Sequence, residues 1–342
     1  MIERSELWQR LADTRLGDMD FWLRRLLRRS STRVGDYRDG GPDAEQCARL
    51  ARIVRAIAGR DGPRVAVLYG VMPRSGTNYL QALLGLHSDL VADPLGIREL
   101  PLLAAVPHWR RAEAAFLDLY AGNAAVLGDL DLLAHVTGGL IARARAAHPE
   151  AHTLVFKVPH TRFLAYAPAL FPDAQALVLT RSGPHLLQST MKTWPPKRFG
   201  KTFADLCLEW RHATETALAV SAAADRARLR LWRYEDVLAD PRGHLLEACG
   251  FLGLDPVRAD LDGINRLPVL GSSELSRRDG AVSWQPVHPR ADFNPAERPV
   301  QWTGRQRRLF QRLAGDTMAR AGYAMPAPDH QTRTRTDPVR PA

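Results

Sequence analysis

Up to about residue 60, apolar positions recur every three or four residues, the spacing of helices with one buried face. The polar run Ser30–Pro42 (SSTRVGDYRDGGP) interrupts them, and its glycines, serines and aspartates predict a loop. Asp43 stands where it would cap a helix running to about Ala58 and closed by Gly59. After Gly62-Pro63 the period disappears. Arg64–Val71 (RVAVLYGV) is a short continuous apolar run, the pattern of a parallel strand buried on both faces. Three further runs share it: Thr153–Val158, Gln175–Thr180 and Arg228–Tyr234. Helical spacing fills the intervals, over Thr77 to about Leu86, Ala112–Tyr120, Leu130–Ala147, Pro184–Trp194 and Phe203–Ala224. Short buried strands alternating with long helices predict an α/β fold with a central parallel sheet flanked by helices. From Leu267 to Gln301 five prolines break every period, and so long an irregular stretch is usually functional or disordered. A last helix is expected over Gly304–Ala321, and the tail 325–342, rich in Pro, Arg, Thr and Asp, is expected to be disordered. Residues 1–60 are thus expected as a helical segment within or packed on a main domain at 61–324.

The chain carries a formal net charge of +10, which raises the question of a nucleic-acid or membrane partner. Its arginines are spread along the whole sequence, so no nucleic-acid partner is expected, and the charge suits an anionic cofactor. Phe21–Arg29 (FWLRRLLRR) is a separate case. Arg24, Arg25, Arg28 and Arg29 oppose Phe21, Trp22, Leu23, Leu26 and Leu27, so a helix there can lie on anionic lipid or pack on its own domain. No apolar run approaches the roughly eighteen residues of a membrane-spanning helix, and the early aspartates argue against a secretory leader. Cys47, Cys207 and Cys249 are far apart and form no CxxC or Cys/His group. Neither a disulfide frame nor a metal site is expected, and a reducing, cytoplasmic location follows.

The strongest chemical signal is Tyr69–Leu80 (YGVMPRSGTNYL), a buried strand, a tight loop and a helix start. A helix N-terminus at a strand's carboxyl end offers unpaired amides and a favourable dipole to phosphate. Gly76 lets the backbone approach an anion, Ser75, Thr77 and Asn78 add donors, and Arg74 adds a forked cation. A nucleotide-kinase loop would need Gly-Lys directly before Thr77, where the chain has Ser75-Gly76. Pro73–Leu80 resembles instead the phosphosulfate loop of the sulfotransferases that use 3′-phosphoadenosine 5′-phosphosulfate (PAPS). That resemblance covers about residues 64–323 with gaps. It implies a P-loop-like three-layer fold, PAPS as sulfuryl donor, no metal, and an acceptor hydroxyl on a small molecule, glycan or lipid. A nucleotide kinase, or a non-catalytic nucleotide-binding protein of the same fold, stands as the alternative.

Later segments extend the likeness. Gln175–Ser189 (QALVLTRSGPHLLQS) is similar to the family's 3′-phosphate site, with Arg181 after a strand and Ser189 within the next helix. Arg277 and Arg278, in RRDG before Trp284, resemble the segment that closes over the same phosphate, with Asp279 as a departure. Arg233–Asp236 (RYED) resembles a recurrent strand-end segment and reads as structural. Within the resemblance Arg74 stabilises leaving-group charge, as a clamp rather than an acid, since arginine stays protonated. Two residues compete as acceptor base. His160, in FKVPH, resembles a Lys-Thr-His segment displaced by one residue. Glu99, in HSDLVADPLGIRELP, matches the glutamate of tyrosylprotein and some carbohydrate members. Lys157 would bind sulfuryl oxygens or simply line its strand end. The acceptor pocket is expected from 94–120, 192–203 and 267–302, with Trp109, Trp194 and Trp284 as stacking groups or core.

Overall fold

The computed structural model describes residues 35–194, 201–272, 277–278, 281–282, 284–288 and 298–327. The amphipathic stretch 21–29 and the tail from 328 onward lie outside the described residues, as do the side chains of Arg277 and Arg278.

Five strands form one parallel sheet: β1 (Arg64–Gly70), β2 (Leu90–Val91), β3 (Thr153–Val158), β4 (Gln175–Thr180) and β5 (Leu229–Arg233), in the order β2-β3-β1-β4-β5. Nine helices of six residues or more accompany it among the described residues. They are α1 (Ala44–Ala58), α2 (Thr77–Leu84), α3 (Val106–Leu119), α4 (Asp131–Ala147), α5 (Gly183–Thr193), α6 (Phe203–Ala223), α7 (Tyr234–Ala239), α8 (Pro241–Leu252) and α9 (Gly304–Arg320). The expected architecture, a parallel sheet between helical layers, is the observed one.

The alternation of β1 explains its unbroken apolar sequence. Val65, Val67 and Tyr69 point into one core and Ala66 and Leu68 into the other. The first core takes Leu50 and Val54 of α1, Leu133 and Ile141 of α4, Trp210 of α6 and Phe310 of α9. The second takes Leu80, Leu83 and Leu84 of α2 with Leu245, Ala248 and Leu252 of α8. Each such side chain, fully buried, contributes about 1.5–3 kcal/mol of transfer free energy. With both faces covered, no strand needs a polar side.

The helix starts follow local chemistry. The Asp43 carboxylate accepts from the Gln46 amide at 2.8 Å, capping α1 as its sequence predicts. Several elements differ from expectation, β2 and α7 among them, since neither was anticipated. α3 begins at Val106, before the predicted start, because Pro107 is tolerated in a first turn. α8 was not anticipated, although Asp240-Pro241 is a cap followed by a first-turn proline: Asp240 accepts from the Gly243 amide at 2.8 Å. What matters for the site is adjacency. β1 and β4 are direct neighbours, with Gly70 opposite Leu179, so the loops that leave them emerge side by side.

Candidate functional site

The carboxyl ends of β1, β3, β4 and β5 open on a cleft of about 1040 Å³. This is where an open α/β sheet binds its ligands. One wall is the loop between β1 and α2. Its shape is set by Ser75, which is fully buried: the hydroxyl donates to the Met72 carbonyl at 2.7 Å and accepts from the Met72 amide at 3.1 Å. Ser75 therefore latches the loop from inside, and its side chain does not face the cleft. Arg74 lies in the left-handed region with φ 82, and Gly76, the residue before α2, has φ 98. The amides of Thr77 and Asn78, in the first turn of α2, have no intrahelical acceptor, and no side chain caps them. They are the donors an anion would meet.

Sequence reasoning gives Gly76 the task of letting a ligand approach. The geometry supplies a second reason. A Cβ there would stand 2.1 Å from Cδ2 of Tyr234, so the tyrosine ring already fills the space. Gly76→Ala combines that clash with left-handed strain, and we expect it to lower the unfolding free energy by about 2–5 kcal/mol. Urea denaturation of the two proteins measures the difference.

The second wall carries Arg181, directly after β4, and Ser189 in α5. Both converge on Arg74. Arg181 Nη1 donates to the Arg74 carbonyl at 2.8 Å, and Arg74 Nε donates to Ser189 Oγ at 3.0 Å. The two segments read separately in the sequence as candidate anion sites thus meet in one continuous cradle. Arg298 lines it as well, a residue the sequence did not single out because it lies in a proline-rich stretch without periodicity. Burial, and then the neighbouring charge of Arg181, push the Arg74 pKa down to about 10, with Arg298 adding to the effect. Arg74 therefore stays charged at neutral pH in a site already crowded with positive charge. No carboxylate pairs with it among the described residues. A polyanion would relieve this repulsion.

Tyr234 belongs to this site too. The Arg181 guanidinium lies over its ring, 4.7 Å from the centroid, and the neighbouring Glu235 accepts from the Ser182 amide at 3.0 Å. The RYED segment read as structural therefore braces the cradle. Its signal was available in the sequence as an aromatic residue at a strand end.

The opposite side of the cleft is formed by the end of β3. Lys157 is buried and lines the cleft; its ammonium donates to Oδ1 of Asn78, which ties β3 to α2. Burial lowers the Lys157 pKa, and the negative charge of Glu99 opposes that shift. The Leu100 amide donates to the Lys157 carbonyl at 2.7 Å, pinning the segment that carries Glu99 to the strand end. Asp93, Arg98 and Glu99 line the cleft here, and Glu99 is solvent-exposed.

His160 is not among the cleft-lining residues. It lies by a buried network in which Glu209 receives Arg162 and Lys201. Burial, and next the charge of Arg162, push the His160 pKa down to about 4, and its buried Nδ1 has no hydrogen-bond partner among the described residues. Of the two base candidates, the cleft contains Glu99.

Trp194 and Trp284 line the cleft, and Trp284 faces the Arg74 guanidinium at 5.9 Å. Trp109 packs against the core. Arg277 and Arg278 pair antiparallel with Ala281–Val282, just before the cleft-lining Trp284–Pro286. Among the described residues no group of three His, Cys, Asp or Glu side chains stands together as a metal site, and no helix is long and apolar enough to cross a membrane.

Comparisons with known proteins bear on the family and the fold. The model of a family described as "Sulfotransferase family" matches residues 67–258, more than half of the chain. The chain is 26% identical over 238 residues to the nodulation protein NoeE of Sinorhizobium fredii, an alignment covering 63% of this chain and 56% of that one. It thus spans little more than half the length of that relative. Among solved structures, a sulfotransferase domain from the curacin biosynthetic pathway superposes with a TM-score of 0.50 at 18% identity, covering 78% of this chain and 100% of that domain. A mouse sulfotransferase complexed with PAP gives a TM-score of 0.43 at 14% identity, covering 80% of this chain and 93% of that one.

Proposed function

Because the chain belongs to the sulfotransferase family, we propose that it moves the sulfuryl group of PAPS to an acceptor hydroxyl on a small molecule, glycan or lipid. The observation that carries this reading is the convergence of Arg181 and Ser189 on Arg74, at the mouth of a loop with open amides. The residues present fit a doubly phosphorylated adenosine. They offer three arginines and a helix start along one cradle, enough for two separated anionic groups.

When bound, PAPS supplies an activated sulfuryl group whose leaving oxygen is a phosphate. Arg74 and the amides of Thr77 and Asn78 hold that phosphate and stabilise the charge it gains. Arg181 and Ser189 hold the 3′-phosphate, supported by Arg298. Lys157, aimed by Asn78, binds sulfuryl oxygens. Glu99 orients the acceptor hydroxyl and takes its proton on a carboxylate oxygen. This distribution asks the protein for alignment and charge rather than covalent chemistry, as in phosphoryl transfer. The three cysteines are free thiols, which supports a reducing compartment, the cytoplasm.

Thermal unfolding with the spent nucleotide PAP tests the proposal against ATP plus magnesium. A hundredfold excess over Kd stabilises a protein by about 2.7 kcal/mol. PAP is expected to raise Tm at concentrations where ATP with magnesium does not. The reverse preference overturns the reading in favour of a kinase, and labelled PAPS with a panel of hydroxyl acceptors then tests transfer itself.

A further inference from the structure

We infer that His185 and Gln188 of α5 are positioning residues: together they clasp the backbone of residues 298–301 and so hold Arg298 at the cleft. The inference rests on the function proposed above. It concerns two side chains that are not among the cleft-lining residues and touch no reacting group.

Residues 298–301 form neither helix nor strand, so their backbone groups must find partners elsewhere. Side chains supply them. The Arg298 carbonyl accepts from His185 Nε2 at 3.0 Å, and the Pro299 carbonyl accepts from Gln188 Nε2 at 2.9 Å. The Val300 carbonyl accepts from Arg307 Nη2 of α9 at 2.9 Å. The Gln301 amide donates to Gln188 Oε1 at 2.6 Å. The buried Gln188 amide therefore pairs with this backbone as a neighbouring strand would, donating once and accepting once. His185 is equally committed. Its Nε2 faces a carbonyl and must carry the proton, which leaves Nδ1 to accept from the Ser182 hydroxyl at 3.1 Å. Burial, and next the charge of Arg181, hold its pKa below the ordinary histidine value, so the ring is neutral at pH 7.

The spacing explains why one helix can do this. His185, Gln188 and Ser189 stand at i, i+3 and i+4 and share a face of α5. Ser189 receives the Arg74 side chain, and the other two hold the backbone that delivers Arg298. Arg298 lines the cleft, and its charge adds to that of Arg181 in lowering the Arg74 pKa. Like charges so placed repel, and a loose segment would relieve the repulsion by withdrawing. The clasp resists that withdrawal with neutral groups. Arg298 then meets an incoming polyanion without first paying to order its own backbone.

The test is a double-mutant cycle read by calorimetric titration of PAP into wild type, Gln188→Leu, Arg298→Ala and the double variant. Losing a hydrogen-bonded charge should raise Kd about tenfold in R298A, and losing its support about fivefold in Q188L. In the double variant Kd should be no higher than in R298A alone, because the clasp acts through Arg298. A general loosening of the fold would instead multiply the two losses, and that result overturns the inference. Equal PAP affinity in Q188L and wild type, or in R298A and wild type, also overturns it and leaves the proposed function standing. A wild-type protein that does not bind PAP overturns both. Should Q188L fail to fold, His185→Leu opens the other half of the clasp. A loss there that vanishes in the R298A background supports the inference, and unchanged affinity or a persisting loss overturns it.

Discussion

Arg74→Ala is expected to lower kcat/KM for sulfuryl transfer about 10²–10³-fold, the range for removing one preorganised donor to developing charge. The side chain is the meeting point of the cradle, reached by Ser189 at its Nε and by Arg181 at its carbonyl. It serves both binding and turnover, so kcat should fall and the Kd for PAP should rise together. Arg74→Lys should recover only part of the loss, because an ammonium keeps the charge and gives up the fork that reaches Ser189 and a phosphate at once. Initial rates with labelled PAPS and calorimetry with PAP check both numbers. Normal PAP binding and normal turnover in R74A would remove Arg74 from the site.

Glu99→Gln is expected to lower kcat about 10²–10⁴-fold, the usual contribution of a general base. Here the two parameters should separate. Glu99 lies beyond Lys157, on the β3 side of the cleft, so PAP affinity and donor KM should stay near wild-type values. His160→Gln should change kcat by no more than a few-fold, since His160 lies by Arg162 and Glu209 and not among the cleft-lining residues. Steady-state kinetics of both variants decide between the two candidates. A large fall in H160Q with none in E99Q reverses the assignment.

Much of the sheet was legible because parallel strands buried on both faces leave no polar residue to break the run. β3 and β4 were read to the residue, and β1 and β5 to within one residue at each end. β2 was not, since two residues, Leu90 and Val91, are too short to show a pattern. α8 was missed because two glycines and weak amphipathicity in PRGHLLEACGFL obscure a helix whose cap is nonetheless explicit in Asp240-Pro241.

The cradle followed a similar rule. Arg74, Arg181 and Ser189 were singled out because each sits at a fixed offset from a strand that can itself be read. Arg298 and Tyr234 depend on contacts between segments far apart in the chain, which one-dimensional spacing does not encode. Glu99 and His160 both stood as candidates for the same reason; the packing around Glu209 keeps His160 out of the cleft that Glu99 lines.

The inward latch of Ser75 onto Met72 has an effect on throughput. A loop already stitched shut surrenders little freedom when a polyanion docks, so the encounter spends almost nothing on ordering peptide. On the proposed function, such a receptor would offer spent nucleotide as comfortable a berth as the charged donor, because the phosphates are common to both. Departure of the exhausted molecule is then the step expected to set the pace.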